Sequence, residues 1–366
     1  MADADLVLEG GGVKGTGLAG AITALASAAQ PYAVHRVAGT SAGAIVASML
    51  AAGYDAAEMK TIMTDLDFAQ FEDAGGFLGR PFEKVAEVLG LLWHEGLFRG
   101  DFLHDWIGQV LAKKNVHTWA DLKAADPGSS LPPAQQYKLV VIVSDVSRGR
   151  MLRLPWDYES QLGVDPDTQP VADAVRASAG IPFFFRPFRM RADPAVTQGH
   201  GEILCTDGGM LSNFPVAIFD RTDGKPPRWP TFGVKLSARE SLTQASWDPN
   251  ADSIQLAKSL LGTMQSAHDR VYVDQDSVAS RTIFVDTTGY NATDFHLTLA
   301  DKQKLFDNGQ TAGQKFLAKW DWVKWQAADP TLLGDRTGPS LRSVSQNRAR
   351  TPSAISSGLR SIMASP

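Results

Sequence analysis

Ser41 lies at the centre of a G-x-S-x-G pattern in which Gly39 and Gly43 are the outer residues. In a nucleophile elbow of this kind, the serine occupies a sharp turn between a strand and a helix, and the small neighbours prevent collisions with both elements. A strand-like segment at 34–38 precedes the pattern, and an Ala-rich segment at 44–52 follows it. The pattern and its context predict that Ser41 is a nucleophile. The alternative is a small-residue cap at the start of a helix.

A second glycine-rich segment, Gly-Gly-Gly-Val-Lys-Gly at 10–15, follows a short apolar run at 6–8. It satisfies the dinucleotide-binding pattern G-x-G-x-x-G, but the next predicted strand ends without the carboxylate that would hold a ribose. A phosphate loop would need Lys after the last glycine, where this chain has Thr16. Converging glycine amides and a helix N-terminus still favour the binding of an anion here, and Lys14 adds a positive charge.

Asp207 is the candidate base for Ser41, because it ends a predicted strand at 202–206 and is followed by two glycines that leave room for a substrate. The alternative is an ordinary Asp-Gly turn. A carboxylate with a normal pKa is a weak base, so we expect Asp207 to be partly desolvated. His268 and His296 lie further along the chain without a motif around them, and we expect both to be surface or packing residues.

Together, the segments at 10–15, 39–43 and 207–209 resemble the signature of the patatin-like phospholipases. Two further stretches match that family, Ala-Ser-Ala-Gly-Ile-Pro at 177–182 and Asn-Phe-Pro at 213–215. The resemblance extends from residue 5 to about residue 325, with the motifs in the right order.

This resemblance implies a lipid acyl hydrolase of the phospholipase A, lysophospholipase or esterase type, with a Ser-Asp dyad and no catalytic histidine. Ser41 would form the acyl-serine intermediate, and Asp207 would be the base. Lys14 stands where many members have Arg, which keeps the charge but loses the bidentate fork. The amides implied for the oxyanion hole are those of Gly10, Gly11 and Gly12. The supporting residues are Gly39, Gly43, Pro182, Gly208, Gly209 and Asn213.

Two other functions stay open at this point. An acyltransferase would use the same acyl-serine but pass the acyl group to an alcohol or thiol, and a non-catalytic module would bind lipid only. The substrate we expect is a phospholipid or another acyl ester. Aromatic segments at 183–185 and 91–93, and a row of Phe98, Phe102, Trp106 and Val110, are candidates for an acyl channel, although such rows more often face the core.

Composition limits the remaining functions. Lys and Arg number 35 against 40 Asp and Glu, so the chain has no basic field to attract nucleic acid. The single cysteine, Cys205, excludes an internal disulfide and a cysteine-based metal site, and we expect it to be a buried strand residue. No calcium-loop pattern occurs, so we expect an enzyme without metal or cofactor. Asp145, after a predicted strand, is either a functional group or a loop cap.

The order of the elements predicts the fold class. Strand, glycine turn and helix follow one another twice within the first 52 residues, which is typical of a parallel α/β sheet. Further strands are predicted at 137–143, 202–206, 231–236 and 282–286, a mostly helical region at 55–125, and helices at 253–277 and 299–325. With the resemblance, this indicates a patatin-like three-layer fold whose central, mainly parallel sheet is flanked by helices.

We expect one acyl hydrolase domain at 1–330 and a Ser/Arg-rich tail at 331–366. Five Arg and one acidic residue lie between 335 and 366, so the tail is predicted to be disordered, with a short amphipathic helix on an anionic membrane as the alternative. The first residues are acidic rather than those of a secretory signal. They favour a soluble cytoplasmic protein, while contact with a membrane surface and export without a signal stay open. The sequence does not indicate an oligomeric state.

Overall fold

The computed structural model describes residues 1–73, 98–236 and 276–328. The described residues form an eight-stranded mixed sheet flanked by helices. No helix in these three ranges is long and apolar enough to cross a bilayer. The predictions that lie outside the described residues are those for 91–93, His268, most of the helix at 253–277 and the tail at 331–366.

The sheet is mainly parallel, as predicted. Its strands follow the order β5-β6-β3-β2-β1-β7-β8, and β4 also pairs with β3. Strands β3, β2, β1, β7 and β8, which are neighbours in this order, all pair in parallel. Strands β4 and β6 run antiparallel to β3, and β5 runs antiparallel to β6. The strands are β1 (Ala2–Leu8), β2 (Tyr32–Thr40), β3 (Leu139–Asp145), β4 (Arg150–Leu154), β5 (Phe188–Arg191), β6 (Glu202–Asp207), β7 (Thr231–Lys235) and β8 (Thr282–Phe284).

Helices cover the sheet and bury the core. The described helices are α1 (Thr16–Ala26), α2 (Ala42–Ala51), α3 (Ala56–Asp65), α4 (Asp101–Ala112), α5 (Val171–Ser178), α6 (Asp276–Ala279), α7 (Leu299–Leu317) and α8 (Trp322–Ala328). Helix α1 packs against α3 and α7, and α2 packs against β1, β2 and β3. Both α1 and α2 are Ala-rich and buried over almost their whole length, because apolar residues surround the axis and not one face only.

Strand β3 brings two distant parts of the chain together. All seven of its residues are buried. Thr40 at the end of β2 is the register partner of Ile142, and Asp207 at the end of β6 is the partner of the next residue, Val143. Because β2 runs parallel and β6 antiparallel to β3, the ends of β2 and β6 meet at neighbouring positions of one strand. Ser41, which follows Thr40, is thereby placed beside Asp207.

The structure contains two strands that the sequence did not predict, β4 and β5. Strand β5 alternates apolar and charged residues, and two arginines interrupt the apolar residues of β4. In these two strands only Leu152, Leu154 and Met190 are buried. Such short strands have little apolar periodicity of their own and depend on pairing with β3 or β6. The predicted helix at 299–325 is also two helices, because α7 ends at Leu317 and the Asp321 side chain accepts the Lys324 amide at the start of α8.

Candidate active site

Ser41 sits on a strained turn between β2 and α2. Its φ of 54° and ψ of −124° lie where residues with a side chain are uncommon. The turn requires small neighbours: a methyl group added to Gly39 would lie 2.3 Å from the Gly43 carbonyl oxygen, and one added to Gly43 would lie 2.2 Å from the Leu8 carbonyl oxygen. The predicted elbow geometry is therefore present, and Ser41 is 4% exposed.

The Ser41 hydroxyl donates a hydrogen bond of 2.6 Å to Asp207 Oδ2. The second carboxylate oxygen, Oδ1, accepts the Gly209 amide at 2.7 Å. Asp207 is almost completely buried, and this desolvation raises the pKa of its carboxyl to about 6, although the hydrogen bonds from Ser41 and Gly209 oppose the rise. A carboxylate with a pKa near the working pH is a better proton acceptor than one with an ordinary pKa.

Ser178, which lies in the segment at 177–182, holds the backbone of Ser41 in place. Its hydroxyl accepts the Ser41 amide at 2.9 Å and donates to the Ile142 carbonyl at 2.6 Å. Two residues further on, the Gly180 carbonyl accepts the Asp207 amide at 3.0 Å and the Thr206 hydroxyl at 2.7 Å. The segment therefore contacts both Ser41 and Asp207, and Pro182 lies in the turn that leaves it.

The glycine segment at 10–15 runs beside Ser41. The Gly10 amide donates to the Asn213 carbonyl at 3.4 Å, so this predicted oxyanion donor already has a protein acceptor. Within the described part of the chain, the amides of Gly11 and Gly12 have no acceptor. Gly12 has a φ of 56° and, with Ser41, lines the adjoining cavity. The geometry thus favours Gly11 and Gly12 over Gly10 as the donors.

Asn213 fastens the glycine segment from the opposite side. Its side-chain amide donates to the Gly10 carbonyl at 3.3 Å and to Glu9 Oε1 at 3.4 Å, and its Oδ1 is buried without a hydrogen-bond partner. Glu9 in turn forms a buried ion pair with Lys235 at the end of β7. These bonds tie the ends of β1 and β7 to the segment after Asp207, so Asn213 supports the loop and does not touch the dyad through a hydrogen bond.

Lys14 lies half-buried in the short helical turn Gly12–Gly15. Its pKa is lowered, chiefly by burial, while Glu9 raises it and Lys235 lowers it further. Burial therefore disfavours the charged form of the Lys14 ammonium group relative to that of an exposed lysine.

A small apolar cavity, partly open to solvent, adjoins Ser41. Of the predicted channel residues, Phe185 lines the cavity; Phe102, Trp106 and Val110 pack against the core instead. Phe98 precedes α4 and pairs with Phe185 through a backbone bridge. The other described lining residues are Val13, Ala42, Ile45, Met63, Leu66, Phe68, Phe71, Leu103, Ala179, Ile181 and Phe295.

The remaining candidate residues make no contact with Ser41 or Asp207 through a described hydrogen bond. Asp145 caps a turn, because its carboxylate accepts the amides of Ser147 and Arg148 and pairs with the Arg148 guanidinium. Cys205 is buried, and burial raises the pKa of its thiol. The His296 side chain is largely exposed. In the three described ranges, no group of three or more His, Cys, Asp or Glu is arranged to hold a metal.

The model of one protein family, the patatin-like phospholipases, matches residues 6–220. The chain belongs to this family. The resemblance seen in the sequence is thereby confirmed, and the architecture is the patatin-like three-layer α/β fold. Ser41, Asp207, the glycine segment and Asn213 all lie inside the matched region, which ends before β7 begins.

Two proteins from other organisms are similar to most or part of this chain. Protein YqhO of Bacillus subtilis, described as uncharacterized, is 35% identical over 319 residues, which are 87% of this chain and 99% of YqhO. Protein R571 of Acanthamoeba polyphaga mimivirus, also uncharacterized, is 25% identical over 218 residues, or 59% of this chain and 61% of R571. The similarity to YqhO thus extends beyond the region that the family model matches.

Two solved structures resemble the patatin fold described here. VipD from Legionella pneumophila has a TM-score of 0.45 at 20% identity, and the alignment covers 87% of this chain and 67% of VipD. ExoU from the type III secretion system of Pseudomonas aeruginosa, crystallised with SpcU, has a TM-score of 0.41 at 17% identity over 87% of this chain and 52% of that one.

Proposed function

We propose that this patatin-like protein is a serine carboxylic-ester hydrolase that removes acyl groups from lipids, of the phospholipase A, lysophospholipase or esterase type. Ser41 is the nucleophile and Asp207 its base. The observation that carries the proposal is the hydrogen bond of 2.6 Å between the Ser41 hydroxyl and a buried carboxylate whose pKa is raised to about 6.

In the first half-reaction, Ser41 Oγ attacks the ester carbonyl carbon while its proton passes to Asp207 Oδ2. The carbonyl oxygen becomes an oxyanion, which the Gly11 and Gly12 amides stabilise together with the positive charge of Lys14. When the tetrahedral intermediate collapses, the bond to the leaving alcohol breaks and Asp207 gives its proton to that oxygen. The acyl group is then an ester of Ser41.

In the second half-reaction, a water molecule attacks the acyl-serine carbonyl and gives a proton to Asp207. Collapse releases the fatty acid, and the proton returns to Ser41 Oγ. The apolar cavity beside Ser41 supports a hydrocarbon acyl group as the substrate portion that binds there, because burying apolar surface is favourable and the described lining residues carry no charge.

A fluorophosphonate probe tests the proposal directly. We expect it to label Ser41, and we expect the protein to hydrolyse p-nitrophenyl acyl esters. Ser41→Ala and Asp207→Asn are expected to lower the rate by about 10² to 10³ or more, the scale of losing one oxyanion donor. Ser48→Ala is the matched control, because Ser48 is a buried serine of α2 whose hydroxyl bonds only within its own helix.

The same experiment separates the alternatives. A non-catalytic lipid-binding module would leave Ser41 unlabelled in a correctly folded protein, and hydrolysis that persists in Ser41→Ala would end the assignment. An acyltransferase would also react with the fluorophosphonate at Ser41, but when an alcohol acceptor is added it would form the new ester faster than free fatty acid.

A further inference from the structure

The segment at 285–298, between β8 and α7, covers the glycine segment although it lies outside the region that matches the family. The Val13 amide donates to the Ala292 carbonyl at 3.1 Å. The approach is close: a methyl group on Gly12 would lie 1.9 Å from the same carbonyl oxygen. The backbone of the covering segment therefore rests directly on the proposed oxyanion loop.

Phe295 is the side chain of this segment that reaches the cavity. It is 4% exposed and lines the cavity together with Ser41. Its ring centroid lies 6.4 Å from that of Phe71, 5.4 Å from that of Phe184 and 6.3 Å from that of Phe185. The Phe295 ring thus contacts two walls of the cavity that come from separate parts of the chain, one containing Phe71 and the other Phe184 and Phe185.

The wall that includes Phe68 and Leu66 is anchored independently. Lys302 of α7 is buried and donates to the carbonyls of Thr64 and Leu66 at 3.2 and 2.6 Å. Its ammonium group also lies 5.4 Å from the centre of the Phe68 ring. Because these bonds do not involve Phe295, shortening Phe295 leaves the anchor of this wall in place and removes only the ring that spans the cavity.

We propose that Phe295 determines the length of the acyl chain that the Ser41 cavity accepts. The proposal rests on the proposed hydrolase function and adds the residue that limits the substrate. A rigid aromatic ring between two walls stops the chain at a defined distance from the acyl-serine, and a smaller side chain at 295 lets further methylenes enter apolar surroundings. Each additional buried methylene raises kcat/KM by about fourfold, so two raise it by roughly 15-fold.

The test compares kcat/KM for monomeric p-nitrophenyl butyrate and dodecanoate. We expect Phe295→Ala and the milder Phe295→Leu to raise the dodecanoate-to-butyrate ratio, by about tenfold or more for Ala, and Phe295→Trp to lower it. The matched control is Phe219→Ala, since Phe219 is also 4% exposed but does not line this cavity. It loses an equally buried ring, and its ratio stays within about twofold of wild type.

The outcomes distinguish failure of the proposed role of Phe295 from failure of the proposed hydrolase function. Wild-type protein that hydrolyses esters, with a ratio that Phe295→Ala and Phe295→Leu leave unchanged, overturns the role of Phe295 alone. Wild-type protein that neither hydrolyses esters nor takes up a fluorophosphonate at Ser41 overturns the hydrolase function and this proposal with it. A ratio that changes equally in Phe219→Ala would mean that general loosening of the fold, and not the ring at 295, sets the chain length.

Discussion

Asp207→Asn is expected to remove activity and at the same time to stabilise the fold at neutral pH. The carboxyl has an ordinary pKa of 3.8 in the unfolded chain and one of about 6 in the folded protein, because burial disfavours its ionised form. A folded-state pKa that is raised in an acid means that ionisation weakens the fold. The difference corresponds to about 3 kcal/mol of unfolding free energy, present as a cost at every pH above about 6.

The sign of the effect depends on pH in a defined way. Below the unfolded-state pKa of 3.8, Asp207 is neutral in both states and the cost is absent. The cost develops as pH rises from 3.8 to about 6 and is constant above that value. Asparagine is neutral throughout, so from this cause the variant gains less than about 1 kcal/mol over wild type at pH 4 and about 3 kcal/mol at pH 8.

Chemical denaturation of wild type and Asp207→Asn at pH 4 and pH 8 measures both differences. Comparing the two pH values cancels the part of the change that comes from shape or from altered hydrogen bonds to Ser41 and Gly209. Asp145→Asn is the matched control, because Asp145 is equally buried at the end of β3 but pairs with Arg148, and its loss leaves that guanidinium without a carboxylate. We expect this control to be less stable than wild type at pH 8.

Wild-type activity provides the second readout. Ester hydrolysis is expected to rise with pH through an apparent pKa near 6, since Asp207 must be ionised to accept the serine proton. A difference between Asp207→Asn and wild type that is the same at pH 4 and pH 8 would refute the reasoning from desolvation. So would full activity well below pH 5.

Two further predictions concern the positioning of Ser41. Ser178→Ala removes the hydroxyl that bridges the Ser41 amide and the Ile142 carbonyl. We expect kcat to fall about tenfold or more with KM little changed, and the free energy of unfolding to fall by about 1–3 kcal/mol for each buried group left unpaired. An unchanged kcat would show that the bridge does not position the nucleophile. Gly43→Ala places a methyl group 2.2 Å from the Leu8 carbonyl oxygen. We expect the variant to lose several kcal/mol of unfolding free energy or to yield no soluble protein. Denaturation measures the loss, and Gly108→Ala is the control because its added methyl would meet nothing within 4 Å.

Much of the fold was readable from the sequence because its signals are local. Apolar runs predicted β1, β2, β3, β6, β7 and β8, and the turn residues between them predicted the two strand-turn-helix units. The charged, short strands β4 and β5 were missed because they lack such runs and form by pairing with a neighbour that the chain itself does not specify locally.

The candidate site divides in a similar way. The motifs indicated Ser41, Asp207 and the glycine segment. They did not indicate that the Asn213 carbonyl accepts the Gly10 amide or that the Ser178 hydroxyl accepts the Ser41 amide. Nor did they indicate that Phe295 lines the cavity from a segment outside the region that matches the family. Ser178 could have been found, because it lies in the quoted segment at 177–182. Phe295 has no motif around it, and only the packing of its ring identifies it.

The amino-acid sequence by itself determined which chemical groups are available and which turns can carry them: a serine between glycines, a carboxylate before two glycines, and glycine amides before a helix. Only the tertiary structure decided their separation and their acidity. The hydroxyl and the carboxylate come from residues 166 positions apart and meet because β2 and β6 end at neighbouring residues of β3. The raised pKa of Asp207 likewise arises from the surroundings that bury it, since desolvation depends on every atom packed around a group and not on its neighbours along the chain.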